Sequence, residues 1–177
     1  FEGNEWDLFT QAVGVLEDAP IFLDDTPALT PIQMRTKCRR LHLEHRIDLI
    51  LVDYIQLMSG DSRNDNRVQE VSYISRNLKT LARELNVPVL AAAQLSRAVE
   101  QRSDKKPMLS DLRESGSLEQ DADIVMFIHK KDQIPDDTSP NTLVDLMVAK
   151  HRNGPTRDLQ MVFIKELAQF YNVATVE

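Results

Sequence analysis

The chain has 177 residues, and its 21 lysines and arginines stand against 28 aspartates and glutamates, so the net charge is −7 at pH 7. This acidic balance excludes a surface that is basic throughout, although one local basic loop could still contact nucleic-acid phosphate. No apolar run approaches the roughly 20 residues of a membrane-spanning helix, and a single cysteine cannot form an internal disulfide, so we expect a cytoplasmic protein with no membrane partner.

Two helices are predicted in the first part of the chain. The chain begins at Phe1 without the features of a natural start, so we expect a fragment of a longer protein. Asn4 is placed to cap the first helix, and residues 21–23 have the composition of a short strand. The second helix is predicted from Thr30 to about His45, because a capping threonine, a proline in the first turn and a glutamine form a capping box.

The apolar run Ile47–Val52 ends abruptly at Asp53, and it predicts a strand buried on both faces of a parallel sheet. A long helix is predicted over 67–85, and a second buried strand over 87–93 leads to Gln94. Ligands of open α/β sheets bind beyond the carboxyl ends of the strands. There Asp53 could contact nucleotide-bound Mg²⁺, and Gln94 could contact a terminal phosphate or a water. The plain alternative is an aspartate that ends a strand and an amide that shapes a loop.

Residues 95–116 are predicted to form a long polar loop with two or three helical turns at most. Such a loop in a compact domain is usually functional or disordered. It ends in Arg113, Glu114, Ser115 and Gly116, just before a short helix that Ser117 could cap, and backbone amides there could bind phosphate oxygens. The alternative is a glycine turn that only redirects the chain.

Consecutive strands are predicted in the last part of the chain, over 124–128, 143–150, 159–164 and 170–176, with a turn at Asn153-Gly154. Helices and strands alternate before residue 130. The order predicts one α/β domain over residues 1–177, with a parallel sheet body flanked by helices and an antiparallel carboxyl-terminal extension.

Lys150 and Arg152 are separated by one residue at the end of a predicted strand, so period-two geometry puts both side chains on one face. Two cations on one face repel each other unless an anion lies between them, and a phosphate is a natural candidate. The alternative is a pair of solvated basic residues in a turn.

Four segments together resemble the bacterial replicative helicases of the DnaB type, in the family's order and at its spacing. They are IDLILVDYIQLM, NRVQEVSYISRNLKTLARELNVPVLAAAQLSRAVEQR, DLRESGSLEQDADIVMFIHK and AKHRNGPT. The resemblance covers the chain from about residue 5 to its end. It implies a RecA-like motor domain, mostly parallel in its sheet, that assembles into a hexameric ring and uses ATP and Mg²⁺ to move 5′ to 3′ along single-stranded DNA. Primase and a helicase loader are the further partners that it implies.

The resemblance also implies roles for individual residues. Asp53 corresponds to the Walker B aspartate, which holds Mg²⁺ through water, and Gln94 to the sensor that couples the terminal phosphate to the DNA loop. Lys150 and Arg152 correspond to the pair that reaches the ATP of a neighbouring subunit, with Arg152 as the arginine finger.

The same resemblance assigns Arg113, Glu114 and Gly116 to the segment that follows the DNA backbone. One departure concerns the phosphate-binding P-loop, because none of the five glycines is followed by lysine. The P-loop, the family's catalytic glutamate and its amino-terminal helical domain are expected upstream, so we expect these 177 residues alone not to hydrolyse ATP.

Two other functions remain open at this point. One is another RecA-like ring ATPase, of the recombinase or clock type, and the other is a non-catalytic interaction domain with the same fold. A P-loop within roughly a hundred residues before Phe1 would indicate an enzyme.

Overall fold

The structure is a computed structural model that describes residues 3–60, 66–130 and 141–173. Within these residues, the longer elements are α1 (Gly3–Glu17), α2 (Pro31–His45), β1 (Ile50–Val52), α3 (Arg67–Leu85), β2 (Val89–Ala91), α4 (Gly116–Asp121), β3 (Ile124–Lys130), β4 (Asn141–His151), β5 (Arg157–Ile164) and β6 (Gln169–Asn172). Short 3₁₀ helices cover Ile55–Leu57, Arg97–Val99, Leu109–Ser115 and Lys165–Leu167. No helix in the described ranges is long and apolar enough to cross a membrane.

Capping fixes both ends of α2 and α3. The predicted capping box of α2 is confirmed, because Thr30 accepts a hydrogen bond from the backbone N–H of Gln33 while its own N–H donates to the Gln33 side chain at 3.0 Å. The Asn66 side chain accepts from a backbone N–H in the first turn of α3. Each helix ends at a residue with left-handed backbone, Arg46 and Asn86, as helix C-termini commonly do.

The first hydrophobic core lies between α2, α3 and the parallel pair β1–β2. The buried stripe of α3 consists of Val71, Ile74, Leu78 and Leu81, at the spacing of one helix face. Ile74 has no exposed surface, and a side chain buried to this extent stabilises the fold by about 1.5–3 kcal/mol. The other buried members are Met34, Ile50, Ile55, Met58 and Val87.

The second core lies against an antiparallel sheet in the order β3-β4-β5-β6. Alternate residues of β3, Val125 and Phe127, are buried together with Met147 of β4 and Leu112. The residues between them on β3 are exposed, so this strand buries one face, as antiparallel strands commonly do.

The predicted α/β class is confirmed, and the structure is a mixed α/β fold with a small parallel sheet and a four-stranded antiparallel sheet. The share of parallel strands differs from the prediction. Within the described ranges, parallel pairing joins β1 to β2, whereas the strand predicted at 124–128 pairs antiparallel with β4. No helix lies between β3 and β4 among these residues, and a parallel pair needs a crossover connection, usually helical.

Two further predictions are wrong in detail. Residues 21–23 form no strand, because no neighbouring segment pairs with them in the described part of the chain. The strand ending at Val52 is not buried on both faces, since Leu51 is 66% exposed, and Leu90 on β2 is 49% exposed. The reason is that α2 and α3 pack against one face of the parallel pair. For the strand predicted over 170–176, the described residues form β6 up to Asn172, and residues 174–176 lie outside the described ranges.

Candidate functional site

Asp53 and Gln94 follow the two parallel strands at the same sheet edge, as predicted. Val52 of β1 is in register with Ala91 of β2, so the carboxyl ends of both strands coincide. One more backbone hydrogen bond joins the two segments beyond the paired residues, from the N–H of Ala92 to the carbonyl of Val52 at 2.9 Å. Asp53 and Gln94 are both exposed at this edge, where α/β sheets bind ligands.

The Gln56 side chain joins the segment after Asp53 to Gln94. Its Oε1 accepts a hydrogen bond from the backbone N–H of Gln94 at 3.2 Å, and its Nε2 donates to the Gln94 carbonyl at 3.3 Å. The Gln56 carbonyl in turn accepts from Arg67, in the first turn of α3, at 2.7 Å. One amide therefore fixes the backbone of Gln94 relative to the Asp53 segment, and we did not predict this residue from the sequence.

A cleft of about 510 Å³ opens beside Gln94 and continues along the 3₁₀ helix that follows. Its lining residues are Gln94, Leu95, Ser96, Arg97, Val99 and Glu100. The backbone at the start of this segment is held from the far end of the long loop, because the N–H of Ser96 donates to the carbonyl of Asp111 at 3.0 Å.

Asp111 closes the long polar loop. Its carboxylate, 5% exposed, accepts hydrogen bonds from the Arg102 guanidinium and from the backbone N–H of Met108 at 2.7 Å. Burial raises the pKa of Asp111, but the bonds from Arg102 and Met108 and the Arg102 charge outweigh it, so the pKa lies below its usual value of 3.8. The two ends of a loop predicted to be long and polar are thus tied together immediately before the 113–116 segment.

Lys150 and Arg152 both reach the carboxyl end of α4, so the prediction that they share a face is confirmed. Lys150 Nζ donates to the carbonyls of Glu119 and Gln120, and Arg152 Nη2 donates to the Gln120 carbonyl at 3.1 Å. Carbonyl oxygens at a helix C-terminus carry partial negative charge and attract cations. The sequence suggested that a phosphate balances the charges of Lys150 and Arg152. In this structure, the carbonyls of α4 and the carboxylate of Asp123 provide negative charge beside them.

Asp123 lies between α4 and β3, and its two carboxylate oxygens contact different cations. One oxygen pairs with Lys79 of α3, and the other pairs with Arg152 Nη1 at 3.2 Å. The bond from Lys79 is the largest influence on the pKa of Asp123, and with the charges of Lys79, Arg152 and Arg83 it lowers that pKa below 3.8, although burial opposes the shift.

Arg113 and Glu114 lie in the 3₁₀ helix Leu109–Ser115, and Gly116 is the first residue of α4. Their side chains lie outside the described part of the structure, so the predicted DNA contact stays a prediction. Ser117 does not cap α4, because it is already the second residue of the helix and its hydroxyl donates to Ser72 at 2.9 Å.

The described side chains thus form two groups, Asp53 with Gln94 at the sheet edge and Lys150 with Arg152 at the end of α4. No hydrogen bond or ion pair within the described ranges joins one group to the other. In the same ranges, no cluster of three or more histidine, cysteine or acidic side chains could hold a metal ion. A single exposed Asp53 still fits Mg²⁺, which proteins hold through one or two carboxylates with water and substrate phosphates.

Comparisons with known proteins agree over nearly the whole chain. The family described as DnaB-like helicase C terminal domain matches residues 1–172. The chain is 51% identical to the replicative DNA helicase DnaB of Geobacillus stearothermophilus over 171 residues, which are 96% of this chain and 38% of that protein. It is 50% identical to the replicative DNA helicase DnaC of Bacillus subtilis (strain 168), with the same coverage. The chain therefore spans about 38% of the length of these curated relatives.

Solved structures give the same result. One of them, described as an ATPase domain, superimposes with a TM-score of 0.90 at 40% identity, covering 98% of this chain and 62% of that chain. A DnaB-like replicative helicase, described with its interactions with primase, superimposes with a TM-score of 0.89 at 39% identity, covering 98% of this chain and 42% of that chain. With the family match over residues 1–172, these similarities establish that the chain belongs to the family of DnaB-like helicase C-terminal domains.

Proposed function

We propose that the chain is the carboxyl-terminal part of the motor domain of an ATP-dependent replicative DNA helicase. The observation that carries this proposal is identity of about half over 96% of the chain to two proteins named as replicative DNA helicases. In the complete protein, we infer a hexameric ring that couples ATP hydrolysis to 5′-to-3′ movement on single-stranded DNA and so separates the duplex. We place this activity in the cytoplasm, at the bacterial replisome.

The described elements are proposed to form part of a RecA-like domain whose parallel sheet has more strands than β1 and β2. Leu51 and Leu90 leave an apolar face of the parallel pair exposed, and each strand has one outer edge without a partner among the described residues. A further layer of the complete domain packed on these paired leucines would remove their apolar surface from water. The P-loop, which this sequence lacks, would come from the remainder of the protein, so the 177 residues alone should not hydrolyse ATP.

The edge at Asp53 and Gln94 is proposed to bind the nucleotide of its own subunit. Asp53 would hold Mg²⁺ through water, and the ion would neutralise charge on the phosphates. Gln94 would contact the terminal phosphate or orient a water, with its backbone held in place by Gln56.

Lys150 and Arg152 are proposed to act on the ATP of a neighbouring subunit. They lie at the end of β4 and just after it, in a sheet separate from that of β1 and β2. A planar guanidinium suits the charge spread over a transferring phosphoryl group, so Arg152 is the proposed arginine finger.

The segment with Arg113, Glu114 and Gly116 is proposed to follow the backbone of single-stranded DNA. It lies between the loop that Asp111 closes and the helix whose end Lys150 and Arg152 contact. Primase and a helicase loader are proposed as partners of the complete protein, and the solved relative described with its primase interactions supports the first.

The test uses the full-length protein with a forked DNA duplex. We expect ring assembly, ATPase activity that single-stranded DNA stimulates, and unwinding that requires a 5′ single-stranded tail. Asp53→Asn should retain the fold and lose most Mg²⁺-dependent ATPase activity. The control is Asp48→Asn, before the amino end of β1, which should keep wild-type ATPase activity. ATPase without unwinding would favour another RecA-like ring ATPase, and a wild-type protein without ATPase would favour a non-catalytic interaction domain.

A further inference from the structure

Arg152 is held at three points by the last turn of α4 and the short connection to β3. Its backbone N–H donates to the Asp123 carbonyl at 2.8 Å, its Nη1 pairs with the Asp123 carboxylate at 3.2 Å, and its Nη2 donates to the Gln120 carbonyl at 3.1 Å. Side chain and backbone are therefore fixed by the same short stretch of chain. Such a side chain has a defined direction even though it is 43% exposed.

These contacts leave the guanidinium able to bind an anion. A guanidinium carries five N–H groups, of which the hydrogen bond to the Gln120 carbonyl uses one, while the ion pair with Asp123 lies on the Nη1 side. The carboxylate and the carbonyl thus fix the plane of the group while part of its fork remains available for phosphate oxygens. The arrangement is that of a group held in position for another ligand.

Asp123 also separates Arg152 from a second cation. Lys79 pairs with the other carboxylate oxygen, and Arg83, one turn along α3, adds a third positive charge near the same carboxylate. Without the Asp123 charge, Lys79 and Arg152 would face each other with no anion between them, and like charges repel. The Arg152 side chain would then move from its present direction.

We propose that Asp123 is the positioning residue for Arg152, orienting its guanidinium for the nucleotide of the neighbouring subunit and shielding it from Lys79. This inference rests on the proposed function, because it takes Arg152 as the arginine finger. Asp123 itself does not touch the nucleotide. It therefore affects turnover through the direction of Arg152 and has little effect on how tightly ATP binds.

The first experiment measures ATPase kinetics of full-length rings carrying Asp123→Asn. The amide fills the same space but removes the charge. We expect kcat to fall by about ten- to a hundredfold, the cost of a misplaced catalytic group. The KM for ATP should stay within about twofold, since binding on the neighbour is retained. The matched control is Asp158→Asn, which also removes an aspartate paired with a lysine, Lys106, and should leave turnover unchanged.

The second experiment locates the defect by mixing subunits. Asp123→Asn subunits are combined with subunits in which the P-loop lysine of the full-length protein is replaced. Some mixed interfaces then have an intact P-loop on one side and intact Asp123 and Arg152 on the other, so activity should recover. Damage to the subunit's own nucleotide site would not recover in this way, which separates positioning in trans from a structural role.

The outcomes distinguish the inference from the function it rests on. If Arg152→Ala retains wild-type turnover, the finger assignment fails and the inference fails with it. If Arg152→Ala is inactive while Asp123→Asn matches Asp158→Asn, only the inference is overturned. A raised KM as the main change, loss of ring assembly, or no recovery on mixing with subunit exchange verified would also overturn it, because each assigns Asp123 a structural role.

Discussion

The carboxyl edge of β1 and β2 and the corner at the end of α4 are held together by different forces. At the edge, the Gln56 amide makes two neutral hydrogen bonds to the Gln94 backbone. At the corner, the main contacts are charged, with Asp123 between Lys79 and Arg152. Salt weakens the attraction between exposed charges, with a screening length of about 10 Å at 0.1 M, but it affects neutral hydrogen bonds little. The contacts of the edge should therefore be insensitive to salt, whereas the ion pairs of the corner should weaken as salt rises.

The largest predicted effect concerns Arg152 at the charged corner. In the full-length ring, Arg152→Ala should lower ATPase turnover by about 10³-fold or more while leaving ATP binding nearly intact, because arginine fingers act on the transition state. Arg152→Lys should remain severely impaired, since a point charge cannot replace the fork. Turnover is measured at saturating ATP, and binding with a fluorescent nucleotide analogue. Wild-type turnover in either variant would mean that the corner only holds α4.

The second effect concerns a charged pair that is buried, and it sharpens the comparison with the exposed corner. Asp111→Asn removes the carboxylate that binds Arg102 and the Met108 N–H, and hydrogen bonds to a charged group contribute about 1.5–3 kcal/mol. We expect a melting temperature about 3–12 °C lower at pH 7, at about 2–4 °C per kcal/mol for a domain of this size. The control is Asp104→Asn, which replaces an exposed aspartate of the same loop and should change the melting temperature far less.

The pH dependence of the same variant follows from the lowered pKa of Asp111. Because the pKa in the folded protein is below 3.8, this carboxylate stabilises the fold above its unfolded pKa, and the contribution is lost as pH falls through the lower, folded value. The difference in melting temperature between wild type and Asp111→Asn should therefore shrink on acidification below about pH 4. A difference that stays constant down to about pH 3 would contradict the charge-based account.

Local patterns in the sequence predicted most of the fold that local forces determine. The limits of α3, the capping box at Thr30 and the meeting of Asp53 with Gln94 at one edge all followed from periodicity and capping. The pairing direction of β3 did not, because it depends on a strand that comes later in the chain.

The residues that support the site could not be found in this way. Gln56 contacts Gln94 across 38 positions, and Lys79 contacts Asp123 across 44. No spacing rule predicts contacts at such separations. Taken singly, each of these residues is an ordinary polar residue that does not stand out in the sequence. The family resemblance suggested the residues that are proposed to act on the nucleotide, but not Gln56, Lys79 or Asp123, which hold two of them in place.

Another prediction concerns residues 113–116, the segment proposed to follow single-stranded DNA. Arg113→Ala in the intact ring should weaken binding to single-stranded DNA and reduce DNA-stimulated ATPase more than basal ATPase. The salt dependence of binding should become shallower by about 0.7 in log–log slope, the value for one lost phosphate contact on a single strand. Arg40→Ala, on the exposed side of α2, is the control. Equal affinity and slope for both variants would remove Arg113 from the DNA contact.

The smallest predicted effect concerns the neutral edge. Gln56→Met keeps the length of the side chain but removes both hydrogen bonds to Gln94. A single exposed hydrogen bond contributes about 1 kcal/mol, so the Gln94 amide should exchange its hydrogen about fivefold faster in the variant. The measurement is hydrogen exchange of that amide in the full-length protein, at low and at high salt. Because the bond is neutral, the fivefold difference should be the same in both conditions.

Gln56→Glu sharpens the result, because it separates the two bonds of the amide. A carboxylate can still accept from the Gln94 N–H, which at present donates to Gln56 Oε1 at 3.2 Å, but it cannot donate to the Gln94 carbonyl. Protection of the Gln94 amide should therefore be retained in Gln56→Glu and lost in Gln56→Met. If the Gln94 amide exchanged at the wild-type rate in both variants, the β1–β2 backbone alone would fix Gln94. A salt-dependent difference in Gln56→Met would mean that this edge, like the corner, is held by charge.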